Sequence, residues 1–516
     1  MVAVALFVST NVRAQVQSLD PGKMTALGAI DQRFQSYNIE MVEVTGGRFW
    51  KPYTSQANSP AQAGPKAAAP IAGFGSDLFE YRAPIDLSNS RLRELAAALG
   101  PAYVRVSGSW ANSVYFQDSD EAAPASPPSG FGSVLTRKEW KGVIDFARAT
   151  DAELVTSFAI SPGTRNAAGE WTPEQAGKVL AYTKSAGGRI ADAEFMNEPN
   201  LPSFGGAPKG YDAAAYARDL AIFKPFLKQN SPDTLLIGPG STAETPDRPP
   251  RAIPGFLTTD ALLTATGPAF DVFDYHLYAA VSQRCARLGS GQQTTAADAL
   301  SAEWLSRSEK IAAFYAGLRD KYEPGKPIWL TETADAACGG NPWASTFLDT
   351  FRYLVQHGRL AQMGVKVIMH NTLSASDYGL LDEKTFEPRP NYWAALLWRK
   401  LMGSTVLDPH LSARENVYAY AHCLQGHPGG VALLLVNADQ QRAYEVNLLS
   451  DAERYTLTAK HLEDKTVLLN GKPLALRNDD ALPQLAGERL HAGKVVLAPK
   501  SITFLAQADA NNNACR

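Results

Sequence analysis

Between residues 37 and 370 the chain carries eight short, apolar, β-rich runs separated by stretches with a helical pattern. The runs are 37–44, 102–107, 153–159, 192–197, 234–239, 270–276, 327–332 and 365–370. Strands that alternate with helices in this way need crossover connections, so neighbouring strands run parallel and helices cover their outer face. Eight such units predict a (β/α)8 barrel, an α/β fold of TIM type, in preference to a doubly wound sheet. The segment 302–322 exemplifies the helices. Trp304, Ile311, Tyr315, Leu318 and Tyr322 recur at the helical period and predict a stripe packed on the barrel.

At 516 residues the chain is too long for a single barrel of ordinary size, so a second, smaller domain is expected. After a helix at 392–402 the pattern changes. Runs at 417–423, 431–437, 444–448, 454–459, 495–497 and 502–506 alternate with period two, and no helix separates them. We assign 31–402 to the catalytic barrel and 403–516 to an all-β sandwich, with 15–30 supplying an N-terminal strand to that sandwich. Two segments, 46–70 and 117–130, are rich in Ala, Pro, Gly and Ser and are expected to be mobile surface loops.

Residues 1–14 resemble the end of a secretory signal peptide, with an apolar run from Val2 to Val8 and a small-residue cleavage site at Val12-Arg13-Ala14. The basic leader is missing, and a buried first strand is the competing reading. No later segment is apolar enough to span a bilayer. A net charge of −3 argues against a nucleic-acid partner. The four cysteines, Cys285, Cys338, Cys423 and Cys515, lack any CxxC spacing, which argues against zinc; no cofactor or metal is expected. Their even number, with an export signal, points to two disulfides in a secreted or periplasmic setting, in a bacterial exported protein. Cys285 and Cys338 follow the adjacent sixth and seventh strands and make one candidate pair. No Asn-x-Ser/Thr sequon occurs.

The chemistry is concentrated in two strand ends. Ala193-Glu194-Phe195-Met196-Asn197-Glu198-Pro199-Asn200 is a strand that stops at a proline, which cannot extend a ladder, so Glu198 is left at the strand's C-terminal end. Ile328-Trp329-Leu330-Thr331-Glu332-Thr333 delivers a second glutamate in the same way. By count these are the fourth and seventh strands, and that end of the barrel is where such enzymes place reacting groups. Two carboxylates facing across the mouth suit glycoside hydrolysis, and a spacing of about 5–5.5 Å would give net retention. Glu198 is then the acid/base and Glu332 the nucleophile. Asn197 is placed to bond the sugar's 2-hydroxyl. His276 and Tyr278 are expected to hydrogen-bond the Glu332 carboxylate. The competing readings are glutamates paired with barrel arginines as structural ions, and a His276 satisfied within the core. His357 and His370 lack partners at ligand spacing and read as structural.

At these residues the chain resembles the heparanases of glycoside hydrolase family 79. Gly100-Pro101-Ala102-Tyr103-Val104-Arg105 is similar to the family's second strand, and Asn197-Glu198-Pro199-Asn200 to its acid/base motif. Thr331-Glu332-Thr333 with Cys338-Gly339-Gly340 resembles the nucleophile strand and its glycine loop. Asp377-Tyr378-Gly379-Leu380-Leu381-Asp382-Glu383, Asn391-Tyr392-Trp393, Tyr420-Ala421-His422-Cys423 and Ala514-Cys515 also have counterparts. The similarity runs over nearly all of the chain from about Gln15. It implies a barrel with a β-sandwich, retaining hydrolysis at β-glucuronic acid, and a Cys423–Cys515 disulfide. It further implies that Gly339, Gly340 and Tyr378 hold the glucuronate carboxylate. Only residues 117–138 occupy the region where vertebrate members carry an excised linker, so activity without processing is expected. Cys338 departs from the family pattern, which has an aromatic there.

The expected partner is a glucuronic-acid-containing polysaccharide, with endo-cleavage of heparan sulfate or a related glycosaminoglycan placed first. An exo-acting β-glucuronidase and a non-catalytic glycan-binding homologue are the alternatives. Arg165, Lys209, Arg248, Arg251, Arg284 and Arg287 fall in loops after strands three to six. They are candidate contacts for a sulfated chain, or ordinary solvated surface.

Overall fold

The computed structural model describes residues 17–54, 75–246, 253, 255–288, 293–411 and 415–516. Eight parallel strands close into a barrel: β1 (Gln35–Glu40), β2 (Ala102–Ser107), β3 (Ala152–Ser157), β4 (Ile190–Glu194), β5 (Leu235–Ser241), β6 (Val272–Tyr278), β7 (Ile328–Ala334) and β8 (Ile368–His370). Each strand bonds to the next in chain order, and β8 returns to β1, so the sheet has no free edge. This is the (β/α)8 architecture that the alternation of runs requires. The helix Ala302–Tyr322 has the bounds its periodicity predicts, and the Ser301 hydroxyl caps it by accepting from Trp304 N–H.

Three sequence expectations are corrected in detail. The run 37–44 is not a single strand. It ends at Glu40, where a helix Met41–Thr45 begins. Glu40 and Glu43 form a reciprocal capping box there, and it overrides the β-propensity of Val42 and Val44. The fourth ladder ends at Glu194, so Asn197 and Glu198 sit on a turn beyond the strand. The segment 46–70 is not wholly a surface loop, because Gly47–Trp50 pairs with Phe79–Arg82 and buries Phe49 and Trp50. Residues 55–70, like the signal-like residues 1–14, lie outside the described residues.

The barrel interior is layered. Tyr103, Val155, Ile237, Val272, Trp329, Val367 and Met369 form an apolar floor at one end. Side chains alternate along each strand, so the inward positions above the floor are Arg105 on β2, Glu194 on β4, and Asp274, His276 and Tyr278 on β6. The floor supplies the low-dielectric base on which this polar layer stands.

Beside two two-stranded pairs, Gly47–Trp50 with Phe79–Arg82 and Val114–Gln117 with Ser133–Thr136, the remaining strands form two sheets. Met402–Leu407, Val417–Leu424, Val431–Asn437, Ala452–Thr458 and Ser501–Gln507 belong to a nine-stranded sheet, and Tyr444–Leu448 and Gly493–Leu497 to a three-stranded one. Leu433, Leu435 and Leu505 from the first sheet and Val446, Leu448, Val495 and Leu497 from the second share one apolar core, as in a sandwich. Where one N-terminal strand is expected there are two. Gln17–Leu19 joins the small sheet and Ala26–Ala29 the large one. Leu434, Val436 and Phe504, on the other face of the large sheet, join the barrel's core. Cys423–Cys515 closes a loop across 92 positions and ties the chain end to the sandwich. Among the described residues no helix is long and apolar enough to cross a membrane.

Candidate active site

Arg105 is the hub of the polar layer. It is 1% exposed, and a charge so deep in an apolar barrel must be paired. Its Nε and Nη2 donate to the two oxygens of Glu194 at 2.8 and 2.7 Å, its Nη1 donates to Glu332 Oε2 at 2.8 Å, and Nη2 also reaches Asn197 Oδ1 at 2.8 Å. Burial alone would raise the Glu194 carboxyl, but the Arg105 charge and its bonds outweigh that and hold it down at about 2. Glu194 is thus a fixed anion, and the pair forms the platform beneath the reacting groups.

Glu332 is turned into the barrel by a break in register. Tyr275 pairs with Leu330, but His276 pairs with Glu332, so β7 carries one extra residue at that point. Trp329 and Thr331 point inward below the break, and without the bulge Glu332 would point out. Its Oε2 accepts from Arg105, and its Oε1 accepts from the Tyr278 hydroxyl at 2.6 Å. The structural-ion reading therefore holds in part, since Glu332 does pair with a barrel arginine. The same pairing orients the carboxylate and compensates its buried charge.

Glu198 stands on a strained backbone. Its φ is 47°, a left-handed conformation that costs a non-glycine residue about 1–3 kcal/mol. The surroundings over-determine it. Asn112 grips the backbone of Asn197 at two points, donating Nδ2–H to its carbonyl and accepting its N–H, each at 2.8 Å. Asn200 grips Thr242 in the same two-point manner. Among the described residues no arginine bonds the Glu198 carboxyl. Its Oε1 accepts from His276 Nδ1 at 3.0 Å. Burial raises its pKa, the His276 hydrogen bond opposes this, and the negative charge of Glu332 raises it further, with a net upward shift.

The expected partnership of His276 is thereby corrected. The ring lies 3.0 Å from Glu198 and 3.8 Å from Glu332, because Arg105 already occupies Glu332 Oε2. Burial pushes the imidazole pKa down, but the Glu332 charge and the bonds to Glu194 and Glu198 carry it up to about 10. Tyr278 bonds Glu332 as expected. Asn197 uses its Oδ1 on Arg105, which leaves Nδ2 as the group able to donate to a ligand.

Gly339 and Gly340 follow the strand that bears Glu332, and a Cβ on Gly340 would lie 3.3 Å from Tyr378 Cβ. Both glycines have positive φ, 81° and 86°. A Cβ on Gly339 would come within 2.5 Å of Trp50 Cβ, and one on Gly340 within 2.9 Å of Ala344 Cβ, so only glycine fits. Among the described residues no hydrogen bond uses either glycine's N–H. The Tyr378 hydroxyl accepts from Asn371 Nδ2 at 3.3 Å, and the same Nδ2 reaches the Tyr278 hydroxyl at 2.9 Å. Tyr378 is therefore three hydrogen bonds from Glu332, through Asn371 and Tyr278.

Sequence reasoning missed four members of the site: Glu194 and Asn371 in the described network, and Asp274 and Glu40 beneath it. Arg105 entered it only as part of a matching strand. Asp274 is fully buried, accepts from the Thr331 hydroxyl at 2.8 Å, and is pushed well above the usual carboxylate range by burial and by the Glu194 charge. Glu40 accepts from Asn371 Nδ2 at 3.1 Å and is likewise raised by burial and by Glu332. A charged residue at an inward strand position was the available signal for Glu194, Asp274 and Glu40; the neutral Asn371 carried none.

The cleft cations are corrected too. Arg165 pairs with the buried Asp219, and Arg284 pairs with Asp377, so neither is free for a substrate. Lys209 is exposed. Arg248, Arg251 and the side chain of Arg287 lie outside the described residues. His357 Nδ1–H donates to its own helix's Tyr353 carbonyl, and His370 Nε2–H donates to the Tyr378 carbonyl; burial lowers the pKa of each, to about 3 and about 4. Two triads, Glu194–Asp274–His276 and Glu198–His276–Glu332, are compact enough to consider for a cation. Arg105 already neutralises Glu194 and Glu332, and His276 cannot serve both, so the donor sets suit a metal poorly. In the second triad a carboxylate oxygen of Glu198 and one of Glu332 lie within 4.8 Å of each other.

No family model matches the chain. It is similar to heparanase-like protein 1 of Arabidopsis thaliana, 28% identical over 74% of this chain and 70% of that one. It is 26% identical to the baicalin-beta-D-glucuronidase of Scutellaria baicalensis, over 82% and 83% of the two chains. It is equally similar to the inactive heparanase-2 of Mus musculus, over 74% and 66%. Among solved structures, a 4-O-alpha-L-rhamnosyl-beta-D-glucuronidase from Fusarium oxysporum superimposes with a TM-score of 0.62 at 15% identity, covering 95% of this chain and 99% of that one, and so shares the fold. The sequence relatives are plant and animal proteins, which lends the expectation of a bacterial source no support.

Proposed function

We propose that the protein is a retaining glycoside hydrolase of heparanase type that cuts β-glucuronide linkages in heparan sulfate or a related glycosaminoglycan. The observation that carries the reading is the asymmetric pair of carboxylates. An oxygen of one lies within 4.8 Å of an oxygen of the other, a close approach that supports direct attack. Glu332 is paired with Arg105 and accepts from Tyr278, and Glu198 is raised by burial and by its neighbour's charge. That is the division of labour that acid and nucleophile require.

In the first step Glu332 attacks the anomeric carbon while Glu198 passes its proton to the departing glycosidic oxygen. An ester forms at Glu332 and the leaving group departs as an alcohol. In the second step Glu198, now a carboxylate, takes a proton from water, and the water oxygen displaces Glu332. Two inversions give net retention. The N–H groups of Gly339 and Gly340 and the Tyr378 hydroxyl supply donors for the glucuronate carboxylate. The similarity to heparanase-like and glucuronidase relatives supports the same substrate class. Two disulfides fit a secreted or periplasmic setting.

Exo-action gains a specific argument, since Arg165 and Arg284, two of the cations held in reserve for a sulfated chain, are neutralised by Asp219 and Asp377. Sizing the products from heparan sulfate decides: oligosaccharides mean endo-cleavage and free uronate means exo. One relative carries the name inactive, so a non-catalytic homologue is a third reading. Failure to turn over any aryl β-glucuronide would overturn the hydrolase proposal in its favour.

A further inference from the structure

Two cysteines that the proposed chemistry does not use flank its glycine loop. Cys285 and Cys338 are disulfide-bonded, and Cys338 immediately precedes Gly339 and Gly340. The segment after β6 runs alongside the segment after β7. Ala337 N–H donates to the Ala280 carbonyl at 2.9 Å, Ser282 N–H to the Ala337 carbonyl at 3.1 Å, and the Ser282 hydroxyl to the Gly340 carbonyl at 2.6 Å. Cys338 has a φ of 64°, so three residues in succession, Cys338 to Gly340, hold left-handed conformations. The first of them bears a Cβ and resists that shape.

The residue next to Cys285 grips the opposite wall. Arg284 pairs with Asp377, the neighbour of Tyr378, and its guanidinium covers the Tyr53 ring at 4.0 Å from the centroid. Tyr53 N–H donates to the Asp377 carboxylate at 3.2 Å, and Arg284 N–H donates to the Tyr53 hydroxyl at 3.0 Å. The short stretch 282–285 therefore fastens the glycine loop on one side and the Tyr378 loop on the other.

We propose that the Cys285–Cys338 disulfide is a specificity-determining brace that holds the Gly339 and Gly340 donors in place opposite the Tyr378 hydroxyl. The proposal rests on the glucuronide reading above. Its role is positioning: it touches no reacting atom, and it fixes in advance the loop that the carboxylate would otherwise have to order on binding. A dithiol that breaks the S–S bond leaves a thiol on each cysteine and departs as its own cyclic disulfide. The loop is then free to leave the left-handed geometry, while Arg105, Glu198 and Glu332 are untouched.

The test compares an aryl β-glucuronide with the matching aryl β-glucoside. Cys285→Ser/Cys338→Ser should raise KM for the glucuronide about tenfold with kcat nearly unchanged, and leave the glucoside alone, as loss of ground-state binding does. Cys423→Ser/Cys515→Ser, remote from the loop, should lower thermal stability and leave the glucuronide-to-glucoside ratio in place. In that second variant the brace is the only disulfide left, so dithiothreitol, with alkylated thiols counted by mass, must produce the same rise in KM even if the first variant fails to fold. A glucuronide preference that survives loss of the brace overturns the proposal alone. Absence of any such preference in the unmutated enzyme overturns the glucuronide reading and the brace together.

Discussion

Glu198 and Glu332 have identical side chains, and their neighbours separate them. Glu332 has two donors, Arg105 and Tyr278, and Glu198 has His276. Because the Glu332 charge helps to raise Glu198, removing it should lower the Glu198 pKa. Glu332→Gln is expected to be folded and inactive, and an NMR titration should show Glu198 losing its proton at a lower pH than in the unmutated protein. An unchanged titration would mean that the two groups are not coupled. Exchange of roles is tested separately. Azide should rescue Glu198→Ala with a retained glycosyl azide and Glu332→Ala with an inverted one, and the reverse pattern would swap acid and nucleophile. At this scale the two glutamates were legible because each ends an apolar run. Arg105, Glu194 and Asp274 were not assigned roles, because one strand read alone does not say which inward charges meet across the barrel. The bulge that turns Glu332 inward leaves no trace in the sequence, and so the partner of His276 was misjudged.

The proposed acid, Glu198, is only as well placed as the turn that bears it. Past the end of β4 no ladder bonds hold the chain, and the left-handed Glu198 depends on Asn112, which arrives from the loop after β2. Asn112→Ala would remove both bonds to Asn197 and release the strain. We expect kcat to fall by about tenfold to a hundredfold, as small misplacements of a reacting group do, with KM little changed. A loss confined to KM would show that the clamp serves binding. Tyr378 gives the complementary measurement. Tyr378→Phe should weaken glucuronide turnover by about 1.5–3 kcal/mol, the range for a hydrogen bond to a charged group, and narrow the margin over the glucoside. Elements as such were readable from period and turn residues. One exception was 37–44, where β-branched residues concealed the Glu40–Glu43 capping box, and another was Gly47–Trp50, a strand within a segment that reads as loop.

At the scale of the molecule, the broad seam between barrel and sandwich contains a close approach that neither unit announces. Helix Phe347–Gln362 lies against the strand Val417–Leu424, and Gly358 faces the ring of Tyr420. A Cβ on Gly358 would come within 2.2 Å of Tyr420 Cγ, and Tyr420 is itself 1% exposed, with no space into which to swing. In the sequence Gly358 reads only as a weak point in a helix, because the surface it must fit belongs to strands 60 residues further on. Gly358→Ala should improve the helix by about 1 kcal/mol on propensity alone. The structure argues for the opposite sign. The added methyl must push helix and sheet apart, and overpacking of this kind costs about 1–3 kcal/mol. Denaturant unfolding should therefore show a lower midpoint for Gly358→Ala. The glucuronide-to-glucoside ratio should be unaltered, since the contact lies away from the barrel mouth. A raised midpoint would mean that the sheet yields to the helix and that the two units are less tightly joined than the Gly358–Tyr420 contact requires.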